Sequence, residues 1–158
     1  MDELDQQIQT LIQEAPDDGV TGKAVEAIAP VLKETASRLK HKIYYVLQTL
    51  NQGWVMTSLA SRRQPDVRKT VIYAFPTLKD AAAWPQSAKN PQLMGIPTPV
   101  THILFQMLAL KTLDSLIFFE APGKSTQGTE IRRKDFQALM QLHLKEAQGY
   151  QDPYANIG

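Results

Sequence analysis

The stretch IYYVLQTLNQGWVMTSLASRRQPDVRKTVIYAF, residues 43–75, decides the fold class. Three runs in it, Ile43 to Leu50, Trp54 to Ala60 and Val67 to Phe75, are rich in β-branched and aromatic residues. Between them stand the turn-prone Asn51-Gln52-Gly53 and the polar Ser61 to Asp66. Short runs of this composition bounded by turn residues read as strands, so the spacing predicts a three-stranded antiparallel meander. Strand side chains alternate between two faces, and the first run is apolar on both: Ile43, Tyr45 and Leu47 on one, Tyr44, Val46 and Leu50 on the other. Such a strand belongs in the middle of a sheet or under a second layer.

Outward from this block the period changes to that of a helix. Upstream, Leu4, Ile8, Leu11 and Ile12 share one stripe, with Asp2 as N-cap and Pro16 as terminator. Thr21 can cap a second helix carrying Ala24, Ile28, Val31, Leu32 and Leu39, with a kink or restart expected at Pro30 and a basic close at Arg38 to Lys42. Downstream, Thr77 and Asp80 make a capping box for a short helix that Pro85 ends. Pro85 to Pro97 reads as a long loop, Thr98 and Pro99 as the start of a helix with Val100, Ile103, Leu104, Met107 and Leu108. Leu116 to Phe119 reads as a buried strand, Ala121 to Gly128 as a polar loop, and about Glu130 to Gln148 as the last helix.

The expected order is α-α-β-β-β-α-α-β-α. It describes an α+β domain with a small, mainly antiparallel sheet, a three-strand meander plus one later strand, flanked by helices. Residues 1–20 are expected to form an acidic helix and linker, 21–148 one domain, and 149–158 a flexible tail.

The chain has 158 residues, 43% of them hydrophobic and 21% charged, which is enough apolar material for one core without crosslinks. It has no cysteine, which excludes disulfides, thiolate metal sites and a cysteine nucleophile. The net charge of +1 is unevenly spread: residues 1–18 hold six acids and no base, so the rest carries all 17 basic residues against ten acids. That acidic arm can lie solvated or dock on a basic surface of its own or a neighbouring subunit. The acidic N-terminus lacks the features of a secretory signal, and the longest uncharged stretch, Asn90 to Leu110, is interrupted by prolines and polar residues. The expectation is a cytoplasmic protein without a membrane span.

Candidate chemistry is sparse. Gly123-Lys124-Ser125 lies between strand and helix, but a P-loop needs a glycine five positions before the GK glycine, and Phe118 stands there. The loop from Ala121 to Gly128 can form only a weak anion nest. Among His41, His102 and His143, only His143 has a carboxylate at helical spacing, Glu146, and a lone pair of that kind does not make a metal site. None of the candidate serines sits in a nucleophile elbow. No catalytic, cofactor-binding or metal-binding residue is therefore nominated, and no cofactor is expected.

Ten of the 17 basic residues fall in four clusters, Arg38/Lys40/Lys42, Arg62/Arg63, Arg68/Lys69 and Arg132/Arg133/Lys134. Were they to converge beside Tyr44 or Trp54, they would offer phosphate contacts and a stacking platform. Arg62, Arg63, Arg68, Lys69, Arg132 and Arg133 are the candidate polyanion-binding residues, Tyr44 and Trp54 the candidate partner-binding ones.

The runs Tyr44-Tyr45-Val46-Leu47-Gln48-Thr49-Leu50 with Trp54-Val55-Met56, and Val71-Ile72-Tyr73-Ala74-Phe75-Pro76-Thr77-Leu78-Lys79-Asp80-Ala81, resemble a group of small uncharacterised cyanobacterial proteins. The resemblance implies an intracellular α+β protein and carries over no catalytic residue. The leading expectation is a non-enzymatic module for a protein partner, an adaptor, regulator or assembly factor. A binder of nucleic acid or another polyanion comes next, then an enzyme with a dispersed polar site. A homodimer is expected if the sheet has too few helices to cover both faces, either through that face or through exchange of the acidic helix.

Overall fold

A computed structural model describes residues 2–60, 63–64, 66–124 and 127–151. The chain is mixed α and β, with six helices and a six-stranded, mostly antiparallel sheet among these residues. The helices are α1 (Glu3–Glu14), α2 (Thr21–Ser37), α3 (Leu78–Ala83), α4 (Pro85–Lys89), α5 (Val100–Ala109) and α6 (Arg133–Gln151). The strands are β1 (Ile43–Gln48), β2 (Thr57–Ala60), β3 (Arg68–Phe75), β4 (Met94–Pro99), β5 (Ser115–Phe119) and β6 (Gly128–Arg132).

The sheet runs β4-β1-β3-β5-β6. The expected meander is corrected here, because β1 pairs directly with β3, Tyr45 opposite Phe75 and Val46 opposite Ala74, while β2 pairs with the other half of β3. The first three residues of the second run, Trp54 to Met56, belong to the turn after β1: Thr49 N–H reaches Gly53 O at 2.8 Å and Val55 N–H reaches Leu47 O at 2.9 Å before the chain passes into β2. The two-sided apolar β1 lies between β4 and β3, as its pattern required. One pairing, β3 with β5, is parallel, Val71 opposite Ser115.

Two strands lie where no strand was expected. β4 occupies the end of the proline-rich segment, which also holds α4. Its prolines are tolerated because Val100 N–H bonds to Lys42 O at 2.9 Å, which sets the alternation and turns positions 95, 97 and 99 away from β1. Pro97 and Pro99 therefore lack amides only on the outer side of an edge strand. β6 replaces the first turn of the expected last helix, which begins at Arg133. α5 likewise starts at Val100, with Thr98 and Pro99 in β4.

Local expectations fare unevenly. Asp2 caps α1 through a 2.8 Å bond from Asp5 N–H, and Thr77 and Asp80 form their reciprocal box at 3.0 and 2.6 Å. α2 is one helix with Pro30 inside it, ending at Ser37, so the basic run to Lys42 lies beyond it. Its amino end is secured by Asp18, whose carboxylate takes the N–H groups of Val20 and Thr21 and the Thr21 hydroxyl, at 2.8, 2.8 and 2.7 Å.

The four long helices all lie on one face of the sheet, over a core that includes Leu32, Tyr44, Ile72, Leu104, Phe118 and Phe136. The two N-terminal helices and the two later ones do not divide the faces between them. The opposite face carries Leu47, Phe75 and Phe119 under the short α3, with Tyr73 and Trp84 half-buried beside them. Tyr73 and Phe119 stack with centroids 5.5 Å apart. α1 is part of the same core through Leu4 and Ile8, and Asp2 and Asp5 pair with Lys33 of α2 at 3.4 and 3.0 Å. The acidic helix thus lies on its own chain. No described helix is long and apolar enough to cross a membrane.

Candidate functional site

The parallel pairing of β3 and β5 brings their amino ends side by side, and β6, antiparallel to β5, finishes at the same place with Arg132 opposite Ser115. Four chain segments meet there: the entry to β3, the turn from α5 into β5, the end of β6 and the start of α6. They enclose a cavity of about 360 Å³ lined by six basic side chains and one carboxylate, Asp114. Arg68 and Lys69 come from β3, Lys111 from the turn, Arg132 from β6, and Arg133 and Lys134 from α6.

Asp114 holds the frame. Its N–H bonds to Thr70 O at 2.9 Å, its carboxylate takes Thr70 N–H at 2.7 Å, and its carbonyl takes Arg133 N–H at 2.8 Å, so one residue ties β3, β5 and α6 together. Arg133 donates from Nε to Met107 O at 3.2 Å and from a terminal nitrogen to Leu108 O at 2.9 Å, covering carbonyls left open at the end of α5. Behind the cations lies Glu130. It pairs with Lys69, accepts the buried Ser115 hydroxyl at 2.5 Å and stands 3.7 Å from Arg132 Nε. Burial pushes the Glu130 carboxyl upward, but the bonds from Lys69 and Ser115 and the charges of Lys69 and Arg132 outweigh it and hold the group below its ordinary value. The exposed side chains of Arg68, Lys111 and Lys134 have no ion pair or hydrogen bond among the described residues.

Of the residues nominated from sequence, Arg68, Lys69, Arg132 and Arg133 meet in this cavity. Arg63 is exposed on the connection before β3 and does not line it, and Arg62 lies outside the described residues. Arg38 pairs with Glu34 at 2.9 Å. Tyr44 is not available to a partner: it is fully buried, and its hydroxyl bonds to the Glu120 carboxylate. Burial, and then that bond, push its phenol well above the usual range. Trp54 is half-buried against the core. Lys111 was missed because it stands alone in sequence, and only the turn before β5 delivers it to the other cations.

At the opposite ends of β3 and β5 a wider crevice of about 810 Å³ includes Thr77, Asp80, Trp84 and Gly123. Here the Gly123 N–H, at a positive φ of 75°, donates to the Asp80 carboxylate at 2.8 Å, and Lys124 N–H bonds to Ala121 O at 3.1 Å. The weak anion nest that the loop Ala121 to Gly128 could offer thus has the Asp80 carboxylate on Gly123 N–H, and Ser125 lies outside the described residues. Among the described residues no group of three His, Asp or Glu side chains is placed to hold a metal ion. His41 bonds through Nε2 to Glu120 O at 2.7 Å, and His102 Nε2 lies 3.4 Å from Gln7 O.

The chain matches no protein-family model, no curated protein and no solved structure.

Proposed function

We propose that the protein is a non-enzymatic binding module for an anionic ligand, with the cavity between β3, β5, β6 and α6 as its site. The observation that supports this is the meeting there of six basic side chains from three separate stretches of chain, 68–69, 111 and 132–134, against the carboxylates of Asp114 in the lining and Glu130 beside it. Concentrated positive charge in a concave, partly apolar site attracts anions and strengthens each contact relative to open water. Binding without conversion fits the polar groups present. The one hydroxyl of the lining among the described residues, on Ser115, is fully buried and so out of a substrate's reach, and the Glu130 carboxylate that accepts it is held below its ordinary value, which makes it a weak base. Polyanion recognition, ranked second from sequence, thereby moves ahead of docking through Tyr44 and Trp54.

The test is fluorescence anisotropy with labelled polyphosphate, polyglutamate and single-stranded DNA, each across a salt series. Binding that weakens steeply with salt and is lost in Arg68→Glu/Lys134→Glu is the expected result. Failure of all three probes to bind at micromolar concentration, or binding indifferent to the two reversals, overturns the reading.

A further inference from the structure

The six cations of the cavity are not equivalent. Lys69 and Arg132 face Glu130, and Arg133 is turned onto the carbonyls of α5. Arg68, Lys111 and Lys134 remain, each from a different segment and each without a side-chain partner among the described residues. We infer that these three side chains bind the dianionic phosphate group of a phosphate monoester, an assignment that rests on the reading of this cavity as an anion site.

Charge favours a dianion. With Glu130 and Asp114 counted, six positive and two negative side chains surround the cavity, so a monoanion leaves most of the excess uncompensated while a dianion halves it. The donor chemistry agrees: a guanidinium offers a fork to two phosphate oxygens, and two ammonium groups act as point charges on the rest. Size and lining argue against a nucleic-acid strand. About 360 Å³ lies at the small end for ligand sites, and among the described residues the lining holds no aromatic ring on which a base can stack, its apolar part being Val67 and Leu113. A free phosphorylated metabolite and a phosphorylated side chain of a protein share the inferred chemistry.

The experiment is calorimetric titration of the full chain with inorganic phosphate, O-phosphoserine, a phosphoserine peptide, sulfate, dimethyl phosphate, and single-stranded DNA without a terminal phosphate. At pH 8 the monoesters should bind at least about tenfold tighter than dimethyl phosphate, which carries one charge. Between pH 8 and pH 5 their affinity should fall about tenfold as the second ionisation, near pH 6, is reversed, whereas sulfate keeps its charge and its affinity. No histidine lines the cavity, so this difference belongs to the ligand. Arg68→Gln, Lys111→Gln and Lys134→Gln should each weaken O-phosphoserine about tenfold, and Lys145→Gln, outside the cavity, should leave it unchanged. A peptide that binds tighter than O-phosphoserine identifies a protein-borne phosphate and equal affinities a free metabolite; either ranking supports the monoester.

The inference is overturned if O-phosphoserine binds no tighter than dimethyl phosphate, if DNA binds tighter than O-phosphoserine, or if the triple Gln variant binds as the parent does. Salt-sensitive polyanion binding that persists through the cavity under those outcomes leaves the anion-site reading standing. Absence of binding by every anion removes both.

Discussion

Gln7 of α1 caps helix α5 at Thr101. Its side-chain oxygen accepts the Thr101 N–H at 3.2 Å and the Thr101 hydroxyl at 2.9 Å, and its side-chain nitrogen donates to Lys42 O at 2.8 Å. Pro99, the residue in the cap position, has no side-chain acceptor. A helix start that its own sequence leaves open is thus closed from 94 residues away.

Gln7→Ala should therefore cost about 1–3 kcal/mol, since it strands a buried donor and a buried hydroxyl. Urea unfolding should show a lower midpoint with unchanged slope. Gln9→Ala, exposed on the same helix, should stay within about 0.5 kcal/mol of the parent. Equal effects at the two positions would show that the cap contributes nothing.

His102 makes stability depend on pH. Burial lowers its pKa from 6.5, and the carbonyl of Gln7 and the charge of Glu14 offset this only in part. The folded state binds the proton less readily than the unfolded one, so this contribution is complete above about pH 6.5 and is lost as the pH falls through the folded-state value. Melting curves at pH 7.5 and 5 should show the parent losing stability and His102→Asn losing less. Parallel losses would assign the effect elsewhere.

α3 rests on β4 at Gly95, where an added Cβ would lie 3.0 Å from Ala81 Cβ and 3.1 Å from Leu78 Cδ1. Gly95→Val should destabilise by about 1–3 kcal/mol and lift α3 from the aromatic group beneath it. In a Trp54→Phe background, emission from Trp84 should shift to longer wavelength. An unmoved spectrum would mean that α3 accommodates the side chain in place.

Phe136→Ala should cost about 3–5 kcal/mol, because the ring is 1% exposed beneath α6. Trp54→Ala should cost less, about 2 kcal/mol, because Trp54 is only half-buried. Chemical denaturation of the two variants decides the order.

What could be read from sequence was whatever neighbours in the chain determine. The Asp2 cap, the Thr77/Asp80 box and the two-sided burial of β1 depend on a few adjacent residues, and each is present. β4 was hidden because prolines that exclude a central strand are harmless on the outer side of an edge, and which side they face depends on pairing with β1. β6 was hidden because, although its burial alternates, its five residues include one large apolar side chain, Ile131, too little to mark a strand beside the helix that follows. The cavity was half legible: the Arg68/Lys69 and Arg132/Arg133/Lys134 clusters stood out, but their meeting depends on the parallel register of β3 and β5. Lys111 and the Gln7 cap depend on long-range geometry throughout.

The outward prolines of β4 also bear on how copies of the chain meet. A second β-strand joining an open sheet needs a row of hydrogen donors along the flank it approaches, and at Pro97 and Pro99 that row is interrupted. Edge-to-edge polymerisation is therefore discouraged on this flank by backbone chemistry alone, whatever the charge or concentration of the protein. The open edges of β6 and of the short β2, which pairs with β3 alone among the described strands, have no proline, so templated growth of the sheet is left to those two strands.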